Sequence, residues 1–171
     1  MIESPEEDLR KIESDQRFRI LIDSLPHFIW ESGPDGTYSY VNKRFLDWSA
    51  LTLEQFNTGR LSKLIYPDDN KKVEEKWQQA LINKSEFNCE YRMKDADGIY
   101  LWFLGKTIPV KNDEGQVIKW VGTTTNINEQ KKIEEARAES ERQFRLLADI
   151  MPQQVWTANE KGELDYVNLV T

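Results

Sequence analysis

The side chains in this 171-residue chain that could carry acid–base, nucleophilic or metal chemistry are few and scattered. It has one histidine, His27, and one cysteine, Cys89, which excludes internal disulfides and any multi-cysteine zinc site. His27 follows none of the usual metal-ligand spacings and sits beside Pro26 ahead of an apolar run, a position that suits a structural or surface role. The carboxylates of Glu6-Glu7-Asp8, Asp68-Asp69 and Glu134-Glu135 cluster as acid–base or metal-binding groups would. Helix starts and solvated helix faces account for all three. No nucleophile elbow, phosphate-binding glycine loop or Cys/His cluster is present. What remains is aromatic: Trp30, Trp48, Trp77, Trp102 and Trp120 could stack on a planar ligand, although the first use of such rings is to fill a core.

The elements that must position these rings follow from composition and pattern. Hydrophobic residues make up 39% and charged residues 31%, a normal balance for a globular domain. The net charge of −7 argues against a nucleic-acid surface, which needs a basic stripe. No apolar run approaches the roughly 18 residues that span a bilayer, and the N-terminus is acidic where a signal peptide is basic and then apolar. A cytoplasmic fragment, without membrane contact of its own, is the expectation.

The chain also repeats itself. Phe18, Arg19, Leu21, Asp23, Pro26, Trp30, Gly36, Tyr40, Val41 and Asn42 recur as Phe144, Arg145, Leu147, Asp149, Pro152, Trp156, Gly162, Tyr166, Val167 and Asn168, at a constant offset of 126 positions. His27 is matched by Gln153. A gapless match of this kind marks a duplication. The organisation it predicts is an N-terminal helical flank (1–17), one complete domain (18–128), a helical linker (129–143) and the start of a second copy (144–171).

Ser4-Pro5-Glu6-Glu7 combines a cap, a proline at the first helical position and a capping-box glutamate, so a helix is predicted from there to Pro26, burying Phe18, Leu21, Ile22 and Leu25. Two strands around Gly33-Pro34-Asp35-Gly36 form a hairpin ending at Val41. Helical spacing runs from Asn42 to about Asn83, with Asp68 or Asp69 available to cap its last and longest helix. Three strands follow, divided by Asp95-Ala96-Asp97-Gly98 and Asn112-Asp113-Glu114-Gly115. In the second, Tyr100 to Leu104 is apolar at both parities, so each face needs cover. Asn126-Ile127-Asn128-Glu129 then opens a helix laced with Lys131–Glu135, Glu134–Arg137 and Glu141–Arg145 spacings. The sum is an α+β domain on a five-stranded antiparallel sheet, with short helices on one face and flanking N- and C-terminal helices.

Pro34-Asp35-Gly36 with Tyr40-Val41-Asn42, Tyr66-Pro67-Asp68-Asp69, Glu90-Tyr91-Arg92, Asp97-Gly98, Trp102 and Gly122 with Asn126-Ile127-Asn128 together resemble the PAS fold family, in the subgroup with a PAC-type ending. The resemblance covers nearly the whole chain and implies a tandem sensory module of a bacterial signalling protein, upstream of a histidine kinase or cyclic-dinucleotide output domain. It implies a pocket lined by Phe45, Leu61, Leu64, Ile65, Trp77, Leu81, Cys89, Tyr91, Phe103 and Thr123. Haem-binding relatives carry a histidine in the long helix, where this chain has none, and photoactive flavin relatives carry a cysteine before that helix, whereas Cys89 follows it. Both cofactors are therefore disfavoured, and the ligand is unknown. Asn126 stands where the family commonly has an aspartate; it can cap a helix but cannot form an ion pair. The leading reading is a small-ligand sensor that dimerises through its flanking helices. The alternative is a ligand-free dimerisation module.

Overall fold

The computed structural model describes residues 16–17 and 19–168. The helix start predicted at Ser4 lies outside them. The chain divides into two compact units at Asn128/Glu129. In the first, residues 19–24 are helical, and the Leu25 amide donates to the Ile22 carbonyl (3.2 Å) before Pro26 ends the helix. Of the face expected to be buried, Phe18 lies outside the described residues, Ile22 is half-buried, and Leu21 and Leu25 are exposed, as is Ile20.

Strands β1 (Phe28–Ser32) and β2 (Tyr38–Val41) form the hairpin, followed by α1 (Lys43–Ser49), α2 (Leu53–Asn57), a 3-10 turn (Arg60–Lys63) and α3 (Pro67–Asn83). The helices begin where the sequence supplies caps. The Asn42 side chain accepts from the Phe45 amide, and Thr52 with Gln55 forms a reciprocal capping box. Helix α3 departs from expectation, because neither Asp68 nor Asp69 caps it. Tyr66 occupies the cap with no side-chain bond, and Pro67 stands in the first turn, where its missing N–H costs nothing. Asp69 turns instead toward the sheet.

Strands β3 (Phe87–Lys94), β4 (Tyr100–Lys111) and β5 (Val117–Asn126) complete an antiparallel sheet of order β2-β1-β5-β4-β3. Alternation on β3 buries Phe87, Cys89, Tyr91 and Met93. On β4 the doubly apolar run is covered unequally: Phe103 is fully buried, Leu101, Trp102 and Leu104 are half-buried, and Tyr100 is exposed. The register shift between β4 and β5 at Val110/Lys111 leaves Ile118 unpaired, and beyond it Trp120, Gly122 and Thr124 face inward.

Both outer strands are engaged along their open edges. On β2, the Asn57 side-chain amide accepts from the Tyr38 amide (2.8 Å) and donates to the Tyr38 carbonyl (2.9 Å), as a neighbouring strand would. On β3, Lys76 and Lys72 reach from α3 to the carbonyls of Asn88 (3.1 Å) and Glu90 (2.7 Å). The Arg92 carbonyl accepts from the Tyr66 amide, and the Lys94 amide donates to the Leu64 carbonyl.

The second unit holds most of α4 (Asn128–Ile150) and the hairpin β6 (Trp156–Ala158) and β7 (Leu164–Val167). Along α4 the Glu141–Arg145 pair forms (2.6 Å), and Lys131 pairs with Glu134 (3.5 Å). Among the described residues no helix is long and apolar enough to cross a membrane.

Candidate functional site

The short helices arch over the inner face of the sheet and leave a cavity of about 210 Å³ between them. The hairpin contributes Trp30 and Tyr38, α1 contributes Phe45 and α2 contributes Phe56. Gly59, Leu61, Ser62 and Ile65 come from the 3-10 turn and its flanks, Val73, Glu74 and Trp77 from α3, and Phe87, Tyr91 and Thr124 from the strands. A wider cleft of about 610 Å³ opens on the surface between Asp23, Pro26, Lys43, Arg44, Asp47 and Asn126. It is solvated and of mixed charge, with Lys43 and Asp47 exposed and paired with each other (2.7 Å). The ring-lined cavity is the candidate site.

Its walls are aromatic rings set nearly at right angles. Trp30 meets Tyr38 at 5.2 Å and 64°, and Trp77 at 5.9 Å and 79°. Tyr38 meets Phe56 at 5.5 Å and 67°. Edge-to-face contact is the favoured arrangement of such quadrupoles, so the walls hold one another in place. Two sheet glycines make room for rings to lie flat. A β-carbon on Gly122 would fall 2.2 Å from the Trp30 indole, and one on Gly105 would fall 2.9 Å from the Tyr91 ring. Burial pushes the Tyr91 phenol up to about 12, against a lowering hydrogen bond to Thr124. Tyr38 is raised by burial as well, with the proximity of Tyr91 a lesser cause. Both are neutral hydroxyls at physiological pH.

At the start of α3 the Asp69 carboxylate accepts from Nε (2.9 Å) and Nη2 (3.0 Å) of Arg92 and from the Arg92 amide (2.9 Å). The guanidinium lies over the Tyr66 ring at 3.8 Å and near Trp102 at 5.2 Å. The Arg92 hydrogen bond holds the Asp69 carboxyl below the usual carboxylate range, against its burial, and Asp69 raises Arg92 in turn. This latch pins the helix that walls the cavity to β3. At the exit of the sheet, the Ile127 amide donates to the Trp102 carbonyl and the Asn126 side chain accepts from the Asn128 amide (2.9 Å), an Asx turn that leads into α4 without an ion pair.

Of the expected lining residues, Phe45, Leu61, Ile65, Trp77 and Tyr91 meet at the cavity. Leu64, Leu81, Cys89, Phe103 and Thr123 do not. Leu64 is half-buried and bonded through its carbonyl to β3, and Leu81 packs against the core beside the first hairpin turn. Phe103 lies deep in the core against Phe28 and Trp48. Cys89 is buried, its thiol donating weakly to the Glu90 carbonyl (3.6 Å) and raised by burial. Thr123 corrects to Thr124, because inward residues of β5 are the even-numbered ones from Trp120. Trp30, Tyr38, Phe56, Val73 and Phe87 line the cavity without having been expected there. The alternation that places Cys89 and Tyr91 inward also points to Phe87. His27 caps the sheet end, its Nδ1 3.0 Å from the Thr125 hydroxyl. Among the described residues no group of three or more His, Cys, Asp or Glu could hold a metal ion.

The family described as the PAS fold matches residues 38–124. An uncharacterized protein, y4lL, of Sinorhizobium fredii is 29% identical over 151 residues, covering 88% of this chain and 18% of that protein. The peroxide stress-activated histidine kinase mak1 of Schizosaccharomyces pombe is 30% identical over 157 residues, covering 88% of this chain and 10% of that protein. The chain thus spans under a fifth of these relatives. A sensory box histidine kinase/response regulator from Burkholderia thailandensis has a solved structure that matches with TM-score 0.56 at 20% identity, over 75% of this chain and 98% of that one. The N-terminal domain of a diguanylate cyclase with PAS/PAC sensor from Marinobacter aquaeolei matches with TM-score 0.54 at 16% identity, over 61% of this chain and 97% of that one.

Proposed function

Because the chain belongs to the PAS fold family, we propose that it is the sensory part of a multidomain signalling protein in which the aromatic cavity receives a small molecule and α4 carries the response onward. The observation that carries this reading is continuity. Trp102 stands opposite Arg92, which holds α3 through Asp69, and its carbonyl receives the Ile127 amide at the start of α4. A shift in the α3 wall therefore has a bonded route to the output helix. The relative that is a histidine kinase, and the histidine kinase and diguanylate cyclase among the similar folds, support an output domain of either kind. Association of two chains through the helix ahead of Pro26 and α4 is supported by the exposed Ile20, Leu21, Ile133, Leu147 and Ile150.

Native mass spectrometry of the protein purified from its own host tests both parts. The expected result is two chains with a retained small molecule. A bare polypeptide mass breaks the ligand reading in favour of a structural module, and a monomer breaks the association.

A further inference from the structure

We infer that the cavity selects a small organic cation, a quaternary or protonated amine. The inference rests on the reading of this cavity as the input site and names its ligand class. Its walls include Trp30, Tyr38, Phe56, Trp77 and Tyr91, and adjoining rings meet at 64° to 79°. The face of an aromatic ring carries negative quadrupole charge, so a cation seated over a face of one of these rings is attracted, more strongly once water is excluded. Trp and Tyr, which make up four of these walls, are better partners than Phe because their rings are richer in electrons.

The one charged side chain on the lining is also an acid. Glu74 projects from α3 one turn from Trp77, is exposed, and accepts a 2.8 Å hydrogen bond from Gln78. No Lys, Arg or His is among the described lining residues, so an anionic ligand would be desolvated without a counter-charge. The neutral phenols of Tyr38 and Tyr91 cannot supply one. A net charge of −7 favours cations over anions in the protein's surroundings. At about 210 Å³ the space suits a compact head group rather than a fused-ring cofactor.

The test compares choline with 3,3-dimethylbutan-1-ol, its neutral isostere, by titration into the full chain with amide shifts of the lining residues as readout. Choline is expected to bind roughly tenfold or more tightly than the alcohol. Glu74→Gln, a surface change that spares the fold, is expected to weaken choline about threefold and leave the alcohol unchanged. Trp77→Leu, checked for folding by near-UV circular dichroism, is expected to erase the preference. Equal or tighter binding of the alcohol overturns the inference while leaving the cavity a ligand site. Binding of neither overturns it also, and a small molecule retained in the native mass spectrum then separates a wrong ligand class from a cavity that takes no ligand.

Discussion

The two hairpins are the same local structure in different surroundings. In the first, Asn42 accepts from the Ile29 amide (3.0 Å) and donates to the His27 carbonyl (3.1 Å), and its own amide reaches the Ile29 carbonyl (2.8 Å). In the second, Asn168 makes the same three bonds 126 positions later, to the Val155 amide (2.7 Å), the Gln153 carbonyl (3.0 Å) and the Val155 carbonyl (3.0 Å). It adds a bond to the Ala148 carbonyl (2.6 Å). Burial differs. Trp30 is 8% exposed, lying on Gly122 and against Trp77, whereas Trp156 is 62% exposed. A β-carbon on Gly36 would meet Trp77 at 3.5 Å, and one on Gly162 would meet nothing within 4 Å. The asparagine clasp is thus written into the hairpin and its preceding turn, while burial of the tryptophan depends on the strands and helices that follow.

Truncating the two tryptophans gives the largest contrast. Trp30→Ala should cost about 3–5 kcal/mol in global stability by urea denaturation, and Trp156→Ala under about 0.5 kcal/mol. Similar losses at both sites would mean that the second hairpin is buried in solution. The clasp comes next. Asn42 is wholly buried, so Asn42→Ala should cost about 2–3 kcal/mol by the same assay, by orphaning the Ile29 amide and the His27 carbonyl. Asn168→Ala should leave the global transition in place and instead speed hydrogen exchange at residues 155–168. The smallest effect is acid sensitivity confined to the first copy. The Asp69 carboxyl lies below its ordinary value when folded, so its contribution is present above the unfolded carboxylate range near pH 4 and fades as pH falls through the lower folded value. Stability followed by denaturation between pH 6 and 2 should decline, and Asp69→Asn should flatten that part of the decline. An unchanged slope would show that the latch carries no linkage.

Elements governed by neighbouring residues were legible in the sequence. The cap at Asn42, the turns between strands and the alternation of β3 all depend on side chains within a few positions. Thr124 was not, because Val121, Thr123 and Thr125 are as suited to a strand as Thr124 is, and the bulge at Ile118 sets which of them faces inward. Nor was the role of Asp69. Its position resembles a cap, but its partner Arg92 lies 23 residues away and becomes a neighbour only when α3 folds back on β3. Phe56 reads as one apolar residue in a short helix, and only the arch of α2 over the sheet brings it to the cavity.

A chain whose residues 144–168 repeat residues 18–42 carries a second hairpin that could pair wrongly with the sheet of the first domain. The side chains along β2 and β3 bear on that risk. An incoming strand would have to strip Asn57 from Tyr38 at one border, and two lysine ammoniums from Asn88 and Glu90 at the other. Lysine at a sheet border is a recurrent guard against strand addition. The first domain thus closes both margins of its sheet against strand addition, whether the incoming strand comes from the repeated hairpin or from another chain.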